Sequence, residues 1–243
     1  MDAAAGGGRM PTPRGRSLGP VFDCLPPLGA AEVLTPDWYT AAELAAVEYP
    51  PVVSEVAARQ RLLRQTYEEA TAGGVVADRL ARMGGYERYL WAVFIVVSRS
   101  YTIAEASGSP PRKYLLPLFD MANHDPASPH TMTCRHGVFQ LIAGAPVAAG
   151  EEVCLVYGGS AMLGNDRLLM DYGFVNGDGG SNFACDLRAL LAAVQGVKGG
   201  FSTSLADDEA ALAGGGLSPA MRQVVSFRVA IKRCLAQALT SEA

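Results

Sequence analysis

Apolar residues recur at helical spacing in four stretches of the chain and form shorter strand-like runs elsewhere, which predicts a mixed helix-and-sheet protein. Thr35-Pro36 opens the first helix, with threonine as cap and proline in the first turn, and Trp38, Leu44 and Val47 share one side. Pro50-Pro51 ends it. The second helix, over residues 53–72, sets Val56, Leu62, Leu63 and Tyr67 against Arg59, Arg61, Arg64, Glu68 and Glu69, and Gly73-Gly74 closes it. The third, over 78–100, carries Leu80, Met83, Tyr86, Leu90, Trp91, Phe94, Ile95 and Val97, an apolar face wide enough for burial on most sides. The fourth, over 218–239, starts on Ser218 and Pro219 and aligns Val224, Phe227, Ile231, Leu235 and Leu239. Shorter helices fit 166–171 and 187–194, a loop fits 101–112, and a flexible, partly acidic linker fits 196–216. Strand patterns cover 114–118 and a hairpin of 138–143 with 153–157, joined through the turn residues Ala148-Ala149-Gly150-Glu151.

Polar chemistry gathers where this pattern breaks. The apolar run from Leu115 to Met121 stops at Asn123, His124 and Asp125, and Pro126 forbids helical continuation. The last strand ends in Tyr157-Gly158-Gly159, which frees a phenol to face a cavity with backbone able to approach beside it. Asn165 is placed to cap the short helix that leads to Tyr172-Gly173-Phe174. Arg99 sits at a helix end, where a cation complements the dipole. His130 and His136 read as surface residues of a polar loop, Met121 and Met132 as packing, and Asp120 as a residue that ties down loop backbone.

Composition narrows the class. With 49% hydrophobic residues the 243-residue chain can bury a sizeable core, and a net charge of −4 argues against a general nucleic-acid binder. The longest apolar run, around Leu90 to Val97, is well short of the roughly 20 residues a membrane span needs. Five cysteines without a C-x-x-C pair point to a reduced compartment and to no structural metal site. Residues 1–19, rich in Gly, Ala, Pro and Arg, read as a disordered tail, with an organelle transit peptide as the alternative.

The three motifs PLFDMANH, GEEVCLVYGG and N-x-x-LL-x-x-YGF agree in order and spacing with the C-terminal half of a SET domain. The chain resembles most closely the subgroup of the Rubisco large-subunit lysine methyltransferases, over residues 113–175 above all. That resemblance implies an α+β fold in which a helical insertion at 20–112 precedes a partial SET core at 113–175 with small β-sheets, and a short helical region follows at 176–243. It implies S-adenosylmethionine as cofactor and methyl transfer to a lysine, or alternatively a histidine, of a protein substrate. By resemblance Tyr157 is the catalytic tyrosine, Asn123, His124, Arg99 and Tyr157 hold the cofactor, and Tyr172 and Phe174 line the channel for the target side chain. A soluble protein of cytoplasm or nucleus is expected, with the chloroplast as the alternative, and neither membrane nor nucleic acid as a direct partner. The glycine-rich turn and strands that open a SET domain have no counterpart here, and the large C-terminal helical domain of the subgroup is shortened. A catalytically inactive, SET-derived binding or scaffold module is therefore the second expectation.

Overall fold

The computed structural model of the chain describes residues 19–73, 75–103, 110–135, 137–159, 163–177 and 200–241. The N-terminal tail up to residue 18, His136 and the helix expected over 187–194 lie outside them. A short helix α1 (Gly19–Asp23) leads to a 3-10 turn at Pro36–Trp38. The expected first helix is split there, and Thr40, not Thr35, makes the capping box of α2 (Ala41–Ala45). The Glu43 N–H donates to the Thr40 hydroxyl at 3.2 Å, and the Thr40 N–H donates to the Glu43 carboxylate at 2.8 Å. Pro50-Pro51 open α3 (Pro50–Thr71) where they were expected to end its predecessor. Proline suits the first turn because its missing N–H has no helical partner in any case. The third expected helix is two, α4 (Val75–Arg82) and α5 (Gly85–Arg99), broken at Gly84 and Gly85, whose φ angles are 114° and 66°.

The sheets depart further from the sequence pattern. β1 (Ser100–Ile103), in the stretch expected as a loop, pairs antiparallel with β2 (Arg112–Leu115), and Tyr101 stands opposite Tyr114. The expected strand over 114–118 ends at Leu115, because the chain turns into a 3-10 segment at Phe119–Met121. β3 (Thr131–Arg135) pairs antiparallel with β4 (Val138–Ile142), with Cys134 opposite Phe139. The expected hairpin of 138–143 with 153–157 is therefore not formed. Residues 153–157 instead cross the polar segment after β2, through a parallel bridge between Leu155 and His124.

α6 (Asn165–Tyr172) is preceded by Gly164, and Asn165 does not cap it: its side chain turns to Asn176. Part of the expected linker is a helix, α7 (Leu205–Ala213), capped reciprocally by Ser204 and Asp207. The last helix, α8 (Pro219–Ser241), begins with the Met221 N–H donating to the Ser218 hydroxyl at 3.2 Å.

One core ties the distant stretches together. Tyr39, Leu44, Val47, Val52 and Val56 pack against Leu169 and Met170 of α6 and against Val224, Phe227 and Ile231 of α8. Each fully buried side chain of this kind stabilises the fold by about 1.5–3 kcal/mol relative to exposure. Polar clamps hold the same junctions. Arg59 of α3 donates from Nε to Asp37 and from a terminal nitrogen to Asp171, each at 2.7 Å, and also to the Met170 carbonyl. Asp208, 1% exposed, accepts from Lys232 at 2.6 Å, from Thr203 at 2.8 Å and from Arg228, which links α7 to α8. Among the described residues no helix is long and apolar enough to cross a membrane.

Candidate active site

The segment after β2 and the segment 153–157 are laced across each other. The Leu155 N–H donates to the Asn123 carbonyl at 2.8 Å, and the Asp125 N–H returns a bond to the Leu155 carbonyl at 3.1 Å. The Ser128 hydroxyl donates to the Cys154 carbonyl at 2.6 Å. Tyr157 is fixed at both ends against this crossing: its backbone N–H donates to His124 Nδ1 at 3.0 Å, and its phenol donates to the Ala122 carbonyl at 2.9 Å. The phenol thus reaches the peptide that precedes Asn123.

α6 delivers two more aromatics. The Tyr172 ring lies 4.6 Å from that of Tyr157, and the Phe174 ring lies 5.9 Å from His124 and 6.4 Å from Tyr157. Gly173 between them ends the helix at φ 76°, and a Cβ there would meet the Leu34 carbonyl oxygen at 2.1 Å. Only glycine lets the chain pass, and Gln223 of α8 locks the passage by donating to the carbonyls of Leu34 and Gly173.

α5 and β1 approach from another side. Arg99 donates to the Asp120 carbonyl at 2.7 Å and touches Met121 Sδ at 3.4 Å, and the Tyr101 phenol donates to the Phe119 carbonyl at 2.8 Å. The Asp120 side chain is only 6% exposed and stands 3.9 Å from the nearest Arg99 nitrogen. Arg99 Nε and Asp120 Oδ1 are both buried without a hydrogen-bond partner. Such orphaned groups are costly, about 1–3 kcal/mol each, and their presence beside the tyrosines is the kind of feature a polar ligand resolves.

Burial sets the charge states. It pushes the Tyr157 phenol above its ordinary value, with the Arg99 cation opposing, and pushes Tyr172 and Tyr101 up to about 12. These phenols are neutral near pH 7. Burial also raises Asp120, again opposed by Arg99, and holds His124 below the ordinary imidazole range, opposed by a backbone hydrogen bond and by Asp125.

Of the residues the sequence singled out, His124, Tyr157, Tyr172 and Phe174 form one ring cluster, and Arg99 meets the loop that leads into it. Asn123 is the exception in orientation. Its side chain is exposed and donates to Glu152 at 2.6 Å, while its backbone carbonyl serves the crossing. Sequence reasoning missed Tyr101 and Asn176. The alternation in Ser100-Tyr101-Thr102-Ile103 was a strand signal for the first. Nothing local marks Asn176, whose partners come from remote segments. Two cavities, of about 730 and 510 Å³, are lined by other residues, including Trp38 and Glu87 in both.

Comparison of the sequence with family profiles and with curated proteins gives no match. Solved structures do match. The SET domain of LSMT bound to lysine and AdoHcy superposes with a TM-score of 0.64 at 14% identity, over 93% of this chain and 70% of that one. The structure of Rubisco LSMT bound to AdoMet gives 0.58 at 14% identity over the same shares. Rubisco LSMT bound to sinefungin and monomethyllysine gives 0.60, over 91% of this chain and 69% of that one. The fold is SET-like. In this SET-like α+β fold, identity of 14% speaks to architecture and leaves chemistry to the residues themselves.

Proposed function

We propose that the chain is an S-adenosylmethionine-dependent protein methyltransferase of the Rubisco lysine methyltransferase type, acting on a lysine side chain. One observation carries this reading: the Tyr157 phenol is bound to the loop of Asn123 and His124 and stands in one aromatic cluster with Tyr172 and Phe174. That the neighbours in fold were crystallised with AdoHcy and lysine, or with AdoMet, supports it.

The residues present fit such a cofactor. The orphaned Arg99 Nε and Asp120 Oδ1 offer one donor and one acceptor to a zwitterion, and the Asn123 amide can supply both on leaving Glu152. When bound, the cofactor supplies an electron-poor methyl carbon on a sulfonium. The chain supplies the rest. Because the Tyr157 O–H is engaged with Ala122, the lone pairs of its oxygen stay available as weak acceptors for C–H groups. Tyr172 and Phe174 exclude water from the target amine, and an apolar wall favours its neutral, nucleophilic form over the ammonium. With the amine held neutral, methylation would leave its nitrogen as a methylammonium, so Tyr157, Tyr172 and Phe174 would have to orient and desolvate the amine without any base on the chain. The protein's task is to hold these groups in line.

Titration calorimetry with S-adenosylmethionine, paired with transfer of a labelled methyl group to polylysine and to polyhistidine, tests the proposal. Binding that Asn123→Ala abolishes, with label on polylysine, is the expected result. Label on polyhistidine alone would change the target class. The scaffold reading has its own support in the Asn123–Glu152 bond, which occupies the amide the cofactor needs. It prevails if calorimetry detects no binding to the wild-type chain or to Glu152→Ala.

A further inference from the structure

His124 sits where three segments meet, and its contacts assign the state of each ring nitrogen. The Tyr157 backbone N–H donates to Nδ1 at 3.0 Å. A nitrogen that accepts carries no proton, so the neutral ring holds its proton on Nε2. Nε2 lies 3.1 Å from the side-chain amide of Asn176. Two N–H groups cannot satisfy each other, so the amide presents its oxygen to Nε2–H, a half-turn of the amide being enough to do so. Asn176 is itself anchored. Its backbone N–H donates to Asn165 Oδ1 at 2.8 Å, and Asn165 is a buried residue of α6, 2% exposed. The chain of contacts therefore runs from α6 through Asn165, Asn176 and His124 to the backbone of Tyr157.

We propose that Asn176 is a positioning residue for Tyr157: by accepting from His124 Nε2–H it holds the imidazole in the one tautomer whose Nδ1 can receive the Tyr157 N–H. Its catalytic consequence rests on the role given to Tyr157 above, but the tautomer itself is readable without turnover.

The groups facing the ring are few. The Leu155 backbone hydrogen-bonds the imidazole from the crossing segment, Asp125 adjoins it on its own segment, the Tyr157 phenol ring lies 5.1 Å away, and Phe174 and Asn176 face it from beyond α6. A second proton can enter only at Nδ1, where it removes the acceptor that Tyr157 uses. Acidification should thus undo the positioning at its source.

The test is a nitrogen-15 correlation spectrum of the side chains of the protein's three histidines, with His124 assigned by its loss in His124→Gln. The expected wild-type result is an Nε2–H pattern for His124, and an Nδ1–H pattern overturns the proposal with no variant needed. Asn176→Asp puts a carboxylate beside Nε2, and the His124 titration midpoint should rise by about 1 pH unit or more. An unchanged midpoint in a folded Asn176→Asp chain also overturns it. Asn176→Ala should mix the two tautomers and lower kcat by about tenfold, as loss of an outer partner does, with the Kd for S-adenosylmethionine held. In Asn176→Asp the acidic limb of kcat should move with the titration midpoint. If the spectra behave as expected while no form of the protein transfers methyl groups, the proposed function fails and the positioning role stands.

Discussion

Replacing Tyr157 with phenylalanine removes one oxygen and leaves the ring contacts to His124, Tyr172 and Phe174 at 4.6–6.4 Å in place. The cost to folding follows from a single bond. The phenol's hydrogen bond to the Ala122 carbonyl is lost, and a half-buried carbonyl that water can partly reach loses its partner. That amounts to about 1–2 kcal/mol, or roughly 2–8 °C in Tm for a chain of this size. The cost to catalysis is larger in proportion. The hydroxyl's weak C–H contacts contribute about 0.5–1 kcal/mol each, and a misplaced methyl or amine adds to the loss, so kcat should fall about 10- to 100-fold. Cofactor affinity, which draws on Arg99, Asp120 and Asn123 in this scheme, should change by less than about threefold. Calorimetry gives the Kd, labelled-methyl transfer at saturating cofactor gives kcat, and circular dichroism gives the Tm. Equal loss in Kd and kcat, or an unchanged kcat, refutes the role assigned to the hydroxyl.

Asp208→Asn should destabilise the chain by about 3–5 kcal/mol, because Arg228 and Lys232, each 8% exposed at the side chain, would keep their charges without a buried counter-ion. The urea midpoint reports it, and a loss under about 1 kcal/mol would mean that Glu48, 3.6 Å from Arg228, takes over. Burial alone would raise the Asp208 carboxyl, but hydrogen bonds from Arg228, Lys232 and Thr203 outweigh it and hold the group below its ordinary value. Its contribution is therefore fully present above the unfolded value near 3.9 and lost as pH falls through the lower folded value, so the gap between wild type and Asp208→Asn should begin to narrow below about pH 4 and keep narrowing as the pH falls further. Leu118, 85% exposed at φ 77°, is strained without burying anything. Leu118→Gly should leave stability unchanged or raise it by up to about 1 kcal/mol, and Leu118→Val should lower it by about 1–2 kcal/mol in the same urea assay. Gly173→Ala should disturb the site more than its size suggests, since Leu34 and Gln223 leave no room for a methyl. Loss of the upfield-shifted ring resonances of Tyr172 and Phe174 would reveal it, and a well-folded, unperturbed variant would contradict the steric argument.

How much of this was legible depended on range. Ser218 acts within a turn of its partner and is read locally, whereas Thr35 draws the cap that belongs to Thr40, the break at Gly84 and Gly85 hides inside one apolar stretch, and proline's double meaning sends Pro50-Pro51 to the wrong helix end. The partner of β4 was missed despite a local signal. Met132 and Cys134 alternate with Thr131, Thr133 and Arg135, but polar residues flanked by histidines looked like loop. The crossing of 153–157 over Asn123 and Asp125 could not be deduced from periodicity, because a single parallel bridge leaves no pattern of its own. Motif order brought His124, Tyr157, Tyr172 and Phe174 to attention without saying how they meet. The outward turn of Asn123 to Glu152 is a matter of side-chain partners on segments 29 residues apart, which no motif records.

The bond from Tyr39 to Gln223 joins residues 184 positions apart, and the same glutamine fastens the carbonyl of Gly173. A chain arrested on the ribosome before residue 220 would leave α2, α3 and α6 without Val224, Phe227 and Ile231, the α8 side chains that share their core. The turn at Gly173 that presents Tyr172 and Phe174 therefore receives its Gln223 lock only once α8 has been made.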